Sequence, residues 1–475
     1  MEQIEKISSL CPECLRNISG VKYASDDGKV YIDKECEDHG VFTTLISKDV
    51  NHYHKMENFF EVDRASPKNH LGVTEKGCPL DCGLCPSHKQ DTCLAVVEVT
   101  DRCDMGCTYC FASSLMDDSK DPDMATIRKM FETVKYYSND PTCVQISGGE
   151  PTLREDLPEI IKMGRDLGLT HIELNTNGVR IAQDQEYFDR IIDAGIDALY
   201  LGFDGVSDDV YMKRTGKNLF EVKSEVINKC RKAGIGVVLV PLVANNYNLH
   251  EVGNIIKFAS NNVPTVRGVH FQPVFLSGRS PADQEAKITI LDLLENIEEQ
   301  TNGQLKVEHF TPALMATAQC GATCMTLVEG EGEFLPLTNI EQGSLNTSTD
   351  VASKTKKSIM GRWKGSSKNE DSSEAVGSNK CCGNTPLTTV TVPQESSCCR
   401  STTKSNGWAE FIEMSKNRYL TISTMAFQDV WSYEKGRIEN CCIHVVTKDG
   451  KFVPFCNYNL SSCNGEYLYR DQITT

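Results

Sequence analysis

Between residue 94 and about residue 300, short apolar runs alternate with longer stretches whose apolar positions recur every three or four residues. The short runs read as strands: Leu94–Thr100, Cys143–Ser147, His171–Asn175, Ala198–Phe203, Gly236–Val243 and Val266–Gln272. The stretches between them read as amphipathic helices. Leu153, Leu157, Ile160 and Ile161 fall at i, i+4, i+7 and i+8, one face of a helix. Gly168, Gly195 and Gly234 stand where such helices should end. A strand returning every ~30 residues is the period of a βαβ unit. The pattern therefore predicts an α/β protein with a partial (β/α)6, TIM-like barrel over 94–300, and chemistry at the C-terminal ends of its strands. Residues 1–66, with β-like runs such as Lys29–Asp33 between cysteine pairs, are predicted as a small metal-binding domain, and 67–93 as a cysteine-rich segment. Residues 301–342 and 407–475 form a C-terminal region with further cysteines. Residues 343–406, rich in Ser, Thr, Lys, Asn and Gly, lack the apolar surface to offset ordering entropy and are predicted as a flexible insertion.

Composition narrows the function. Of 475 residues 39% are hydrophobic, enough for a globular core, and the net charge is −17 with a pI near 5.1. An acidic surface argues against non-specific nucleic-acid binding, which needs dense Lys and Arg. Met1–Ser8 lacks the basic and apolar regions of a signal peptide. No apolar run approaches the ~20 residues of a membrane span. These features predict a cytoplasmic protein. In that reducing compartment 22 cysteines are metal ligands before they are disulfides. An oxygen-poor setting follows, because exposed iron–sulfur clusters oxidise readily.

One cysteine set stands directly after the first predicted strand: Cys103-Asp-Met-Gly-Cys107-Thr-Tyr109-Cys110. Three thiolates within eight residues can hold three irons of a four-iron cluster and leave the fourth open to bind a ligand. On these cysteines alone a structural zinc knuckle is the competing reading. Further motifs close the following strands. Ser147-Gly148-Gly149-Glu150-Pro151 ends the second, where two glycines would let backbone approach a ligand and Glu150 could accept from a cationic amine. Asn175-Thr-Asn177-Gly178 ends the third, and Asp204-Gly205 the fourth. After the sixth, Arg279 either meets an anionic group or caps a helix at the surface.

Other cysteines suggest further centres. Cys78, Cys82, Cys85 and Cys93 would saturate an auxiliary [4Fe-4S] cluster, or hold structural zinc. Cys11, Cys14 and Cys36, with His39 or a distant cysteine as the fourth ligand, suit mononuclear zinc or rubredoxin-like iron. Cys320 and Cys324 could meet Cys442 and Cys456 around another auxiliary cluster, with Cys441 as the rival to Cys442. The vicinal pairs Cys381-Cys382 and Cys398-Cys399 either capture a soft metal or metalloid or have no role. Cys143 and Cys230, inside a strand and a helix, read as buried apolar residues.

The Cys103–Cys110 motif, followed by the strand-end motifs in this order, resembles the radical S-adenosylmethionine (SAM) enzymes. The resemblance implies that Cys103, Cys107 and Cys110 carry a [4Fe-4S] cluster whose open iron binds SAM, and that its electron cleaves SAM to a 5′-deoxyadenosyl radical. It assigns Tyr109, Gly148, Gly149, Glu150, Pro151, Asn175, Asn177 and Asp204 to the SAM site. Within the superfamily, residues 8–342 and 408–460 resemble the archaeal tetraether lipid synthases and their homologues. The shared features are the N-terminal metal domain, the Cys78–Cys93 segment and the Cys442-Ile-His…Pro454-Phe-Cys456-Asn-Tyr-Asn ending. This implies sp3–sp3 coupling of lipid hydrocarbon chains, with contact at the membrane surface, an apolar groove near Phe275, Leu276 and Met325, and a low-potential donor such as ferredoxin or flavodoxin. Radical methylation of a pterin precursor is the alternative, as some homologues imply. A non-catalytic iron–sulfur carrier would explain the cysteines but not the ordered SAM motifs.

Overall fold

The polar spacing of the first 48 residues folds as an antiparallel meander, β1 (Glu2–Leu10), β2 (Asn17–Ala24), β3 (Val30–Cys36) and β4 (Gly40–Ser47), paired in sequence order. The computed structural model describes residues 1–59, 65–70, 74–117, 119–140, 142–279, 282–313, 315–342, 360–361 and 417–470. Helix α1 (Val50–Glu57), capped by the Asp49 carboxylate accepting from two backbone N–H groups, follows the meander.

The six predicted strands all form and lie parallel in sequence order: β5 (Leu94–Glu98), β6 (Cys143–Ser147), β7 (His171–Thr176), β8 (Ala198–Gly202), β9 (Gly236–Val240) and, beyond the short β10 (Leu242–Val243), β11 (Val266–Pro273). The fifth predicted strand is split at Pro241, which has no N–H to give the ladder; β10 pairs with β11 instead of continuing β9. The crossovers are α2 (Met124–Tyr137), α3 (Leu157–Asp166), α4 (Val179–Gln183), α5 (Gln185–Asp193), α6 (Asp208–Thr215), α7 (Phe220–Ala233) and α8 (Val252–Ser260); α9 (Ile290–Gln300) follows β11.

Strand alternation divides the sheet into two faces. Ile146, Leu174, Leu199, Leu201, Leu239 and Val269 pack on helix residues such as Phe131, Ile160, Phe188 and Val226 in one large core. The opposite positions, Gln145, Ser147, Glu173, Asn175, Tyr200 and His270, line an internal cavity. The helix-facing positions supply apolar burial, while the inward positions are left to chemistry.

The segments expected as a separate C-terminal region instead extend this sheet at both edges. Next to β11, in parallel, lies β15 (Tyr419–Met425), followed by β13 (Gly321–Gly330), which pairs with β12 (Thr311–Pro312) and β14 (Glu333–Pro336). On the other edge β16 (Ile443–Val446) pairs in parallel with β5, and β17 (Phe452–Pro454) with β16. Residues 343–406, including Cys381, Cys382, Cys398 and Cys399, lie outside the described residues except for 360–361. Among the described residues no helix is long and apolar enough to cross a membrane.

Candidate active site and metal centres

Where β5 ends, the chain enters a loop that carries Cys103, Cys107 and Cys110, and all three open onto the internal cavity. The loop is held through its backbone by its own far end, by α6 and by the turn after β11. Cys103 N–H donates to the Leu115 carbonyl at 3.1 Å and Thr108 N–H to the Arg214 carbonyl at 2.9 Å. Arg279 N–H donates to the Cys110 carbonyl at 3.0 Å, and its guanidinium to the carbonyls of Cys107 and Ser114. Arg279 thus clamps the cysteine loop and is not available to a substrate anion.

Gly148 and Gly149 also serve the loop. Gly148 has φ +134°, and a Cβ there would stand 2.1 Å from the Thr100 carbonyl oxygen; at Gly149 it would stand 2.1 Å from that of Arg102. Their small size admits backbone rather than ligand: Gly149 and Glu150 N–H groups donate to Thr100 and Arg102 at 2.8 Å each. Pro151 opens a 3-10 turn capped by Glu150. The Glu150 carboxylate is buried and accepts from Thr152 N–H (3.0 Å), the Thr152 and Thr176 hydroxyls (2.5 and 2.7 Å) and Asn177 N–H (2.6 Å). Burial raises its pKa, and these donors oppose the rise. Its Oε2 takes only the Asn177 bond, so acceptor capacity remains on the cavity side.

Asn177 donates to Asp104 at 2.8 Å, tying β7 to the cysteine loop, and Asn175 donates to Ser147 at 3.2 Å. Asp204 accepts from Arg214 at 2.5 Å and Leu242 N–H at 3.2 Å. Tyr109 donates to Asp283 at 2.6 Å. Of the residues expected at the SAM site, Tyr109, Gly148, Gly149, Glu150, Asn175, Asn177 and Asp204 line the cavity, and Pro151 does not. Two cations there carry no local signal in the sequence. Arg214 sits on α6, and Lys223, a buried residue on α7, donates to the Asn177 carbonyl and has its pKa lowered to about 8 by burial.

Burial also lifts the thiols, Cys103 to about 12 and Cys107 in the same direction. A bound metal would reverse that preference, because thiolate is the ligating form. The spacing of the sulfurs separates the two metal readings. A tetrahedral zinc with Zn–S bonds near 2.3 Å sets its sulfurs ~3.8 Å apart. Among the described residues, only Cys11/Cys14/Cys36/His39 and Cys143/His171/Glu173 bring three or more ligand atoms within 4.8 Å of one another. Cys103, Cys107 and Cys110 are not among these sets, so at least two of their sulfurs lie farther apart than 4.8 Å, beyond the edge of a zinc tetrahedron.

The N-terminal set has the tighter geometry. His39 Nδ1 lies 3.6 Å from Cys11 Sγ and 3.4 Å from Cys36 Sγ, and Cys14 lies 4.0 Å from Cys36. His39 pulls the Cys36 pKa down to about 7. Three sulfurs and one imidazole are a zinc donor set, whereas a rubredoxin-like site uses four thiolates.

The remaining cysteines regroup. Cys78, Cys82 and Cys85 line a small separate cavity with His88, and Asn457 donates to Cys82 at 3.0 Å. Cys93 does not join them. Its sulfur faces the central cavity, 2.8 Å from Cys442, because β16 pairs with β5 immediately beyond it. Cys320, which accepts from Arg437 at 3.3 and 3.4 Å, shares electrostatic contact with Cys441, Cys442 and Cys456. Cys324 is not part of this group. It lies on β13 between the cavity-lining Thr323 and Met325, so strand alternation turns it into the apolar core. Cys143 also departs from a plain core thiol, because it lines the cavity beside Glu173.

The cavity has a volume of about 440 Å³. One wall is aromatic: Phe111 packs on Phe275 and Phe455, and Phe427 on Phe455 with ring centroids 4.4 Å apart. Of the residues expected in an apolar groove, Phe275 and Met325 line it, and Leu276 is buried in a neighbouring cluster. The other wall is polar, with Gln145, Glu173, Asn175, Tyr200 and a His270 whose pKa burial lowers to about 4, leaving a neutral imidazole.

Residues 97–259 match the model of the radical SAM superfamily, and residues 3–48 that of the HMPTM N-terminal zinc ribbon domain. The chain is 34% identical over 481 aligned residues, 96% of its length and 93% of the relative's, to the 7,8-dihydro-6-hydroxymethylpterin dimethyltransferase of Methanocaldococcus jannaschii. It is 29% identical over 183 residues to a probable GTP 3′,8-cyclase of Methanococcus aeolicus, 38% of this chain and 59% of that protein. The crystal structure of Streptococcus suis SuiB bound to S-adenosylmethionine overlaps at a TM-score of 0.35 and 14% identity, covering 45% of this chain and 47% of that one.

Proposed function

The chain belongs to the radical SAM superfamily and, within it, to the family of the 7,8-dihydro-6-hydroxymethylpterin dimethyltransferase, and on that premise we propose that it methylates a reduced pterin by radical chemistry. Cys103, Cys107 and Cys110 would hold a [4Fe-4S] cluster, which together with SAM and an electron would supply a carbon-centred radical able to abstract a hydrogen atom. Glu150 accepts from the SAM amino group. Asn175, Asn177 and Asp204 serve its polar groups, and Tyr109, Gly148, Gly149 and Pro151 hold the loop and turn that frame it. Lys223 and Arg214 balance the charge of the carboxylates and thiolates.

The observation that carries the substrate reading is the cavity those cysteines open onto. Its polar wall of Gln145, Glu173, Asn175 and Tyr200 is a poor match for a pair of hydrocarbon chains. Its aromatic and polar walls suit a flat heterocycle with a polar edge. Pterin methylation therefore replaces lipid coupling as the leading reading. We assign zinc to Cys11, Cys14, Cys36 and His39. Auxiliary clusters are assigned to Cys78/Cys82/Cys85 and to Cys93/Cys320/Cys442/Cys456, with Cys441 as the alternative to Cys442. A small low-potential electron donor completes the system.

The methyl carbon must come from a second SAM or from a one-carbon-carrying tetrahydropterin or tetrahydrofolate, so the test is anaerobic incubation of the iron-loaded protein with 6-hydroxymethyl-7,8-dihydropterin, reductant, excess SAM and such a one-carbon donor. The expected product is a pterin heavier by one or two methyl groups. Turnover of SAM with the pterin recovered unchanged would reject the substrate.

A further inference from the structure

Glu173 is an inward residue of β7, one alternation closer to the barrel floor than Asn175. It is 2% exposed and lines the cavity. Its Oε1 meets His171 Nε2 at 2.9 Å, and its Oε2 meets the Gln145 amide at 3.5 Å. The Cys143 thiol also leans on it. A carboxylate has about four acceptor positions, and the His171 and Gln145 contacts take one on each oxygen, which leaves one on each oxygen for a ligand in the cavity. Across the same cavity the buried hydroxyls of Thr421 and Thr424 have no hydrogen-bond partner among the described residues. A buried polar group without a partner costs stability, and a ligand can remove that cost.

We propose that Glu173 is the specificity residue of the pocket, accepting the paired N–H groups, exocyclic amino and ring, of a 2-amino-4-oxopyrimidine edge. The inference rests on the pterin reading given above and names the residue that selects the ring. Two adjacent N–H donors on one edge match the two oxygens of a carboxylate, and such charge-assisted pairs are the strong ones. The geometry also orients the substrate. From Glu173 to Thr176, whose hydroxyl holds Glu150, the strand rises ~10 Å toward the cysteine loop. A bicycle anchored by its pyrimidine edge at Glu173 therefore points its second ring, and the substituent on it, at the cysteines. The wall of Phe111, Phe275, Phe427 and Phe455 offers apolar area to its faces. Guanine has the same edge, but its sugar and phosphates would have to occupy the position of the second ring's substituent.

The experiment measures equilibrium binding to the anaerobic, iron-loaded protein of 6-hydroxymethylpterin, of the analogue with oxygen in place of the 2-amino group, and of guanosine. The wild-type protein is expected to prefer the amino compound over the oxo analogue by at least ~100-fold, below the ~10⁴-fold that a fully formed donor-selective site reaches, and to bind guanosine more weakly than the pterin. In Glu173→Gln at matched iron content, the preference for the amino compound should collapse to within ~5-fold, because an amide both donates and accepts. A wild-type protein that binds both pteridines equally overturns the proposal whatever the variant does. So does a Glu173→Gln protein that keeps the wild-type ratio, or one that loses a non-iron metal equivalent, which would make Cys143, His171 and Glu173 a metal site. Wild-type protein that binds no pterin at all rejects the functional reading itself, and this inference with it. Pterin binding without discrimination at the 2-position rejects only the inference.

Discussion

At Gly149 the methyl group of an alanine would stand 2.1 Å from the Arg102 carbonyl oxygen and 2.9 Å from that of Asp101. Backbone on both sides leaves nothing that can yield cheaply. Gly149→Ala should therefore destabilise the protein by roughly 3 kcal/mol, the upper range for overpacking, and loosen the arm that carries Cys103. Thermal unfolding under anaerobic conditions, read beside iron content, checks this; an unchanged midpoint would refute the packing account. The motif was legible in the sequence, but its cause was not. Two glycines after a strand announce a close approach without saying what approaches. Arg279 was misread for the same reason, since a lone arginine after a strand does not disclose that loop carbonyls will surround it.

Among the elements, the six parallel strands were legible because each is a short apolar run followed by helical periodicity. The strands that close the sheet were not. β13, β15 and β16 are brought to its edges by pairings between residues far apart in the chain, which no local spacing encodes. Cys93 and Cys324 were misplaced because register and alternation decide where a sulfur points. The C-terminal segment is a further device invisible to motif reading. Tyr467 donates to the Phe111 carbonyl at 2.6 Å, beside Cys110. Tyr469 accepts from Cys82 N–H at 2.9 Å. Arg470 pairs with the buried Glu98 through both carboxylate oxygens, at 2.5 and 3.2 Å. The tail thus fastens two cysteine sets at once. Arg470→Ala leaves Glu98 buried with, among the described residues, only a 3.3 Å side-chain contact from Tyr458, so we expect a loss of ~3–5 kcal/mol, read as a fall in the urea midpoint. Replacing Glu98 and Arg470 together by apolar residues should recover part of it. If the single variant unfolds at the wild-type urea concentration, the tail is not a fastener.

Across the whole molecule, the N-terminal meander is joined to the C-terminal segment by two lysines. Lys22 pairs with Glu434 at 2.6 Å with both side chains buried. Lys34, 2% exposed, donates to the Val430 carbonyl at 2.5 Å and to Ser9 at 3.3 Å. Burial lowers the Lys34 pKa from 10.5 to about 7, against the opposing effect of Asp429. Between these values the unfolded chain holds a proton that the folded chain has released. The penalty on folding is therefore full below about pH 7 and is relieved as pH rises toward 10.5. Wild-type stability should climb between pH 7 and about 9.5 more steeply than that of Lys34→Met. Parallel pH profiles would show that this lysine does not carry the dependence. The zinc assignment is separable from the rest: Cys36→Ser should lose one equivalent of zinc while iron per chain stays at the wild-type level, as metal analysis will show.

The account rests on an iron that the cysteine loop leaves open to SAM, and electron paramagnetic resonance of the reduced protein tests it most directly. Adding SAM should shift the spectrum of one cluster, and the shifting component should be missing from Cys107→Ala. A fully iron-loaded wild-type protein whose reduced spectrum is the same with and without SAM would contradict it.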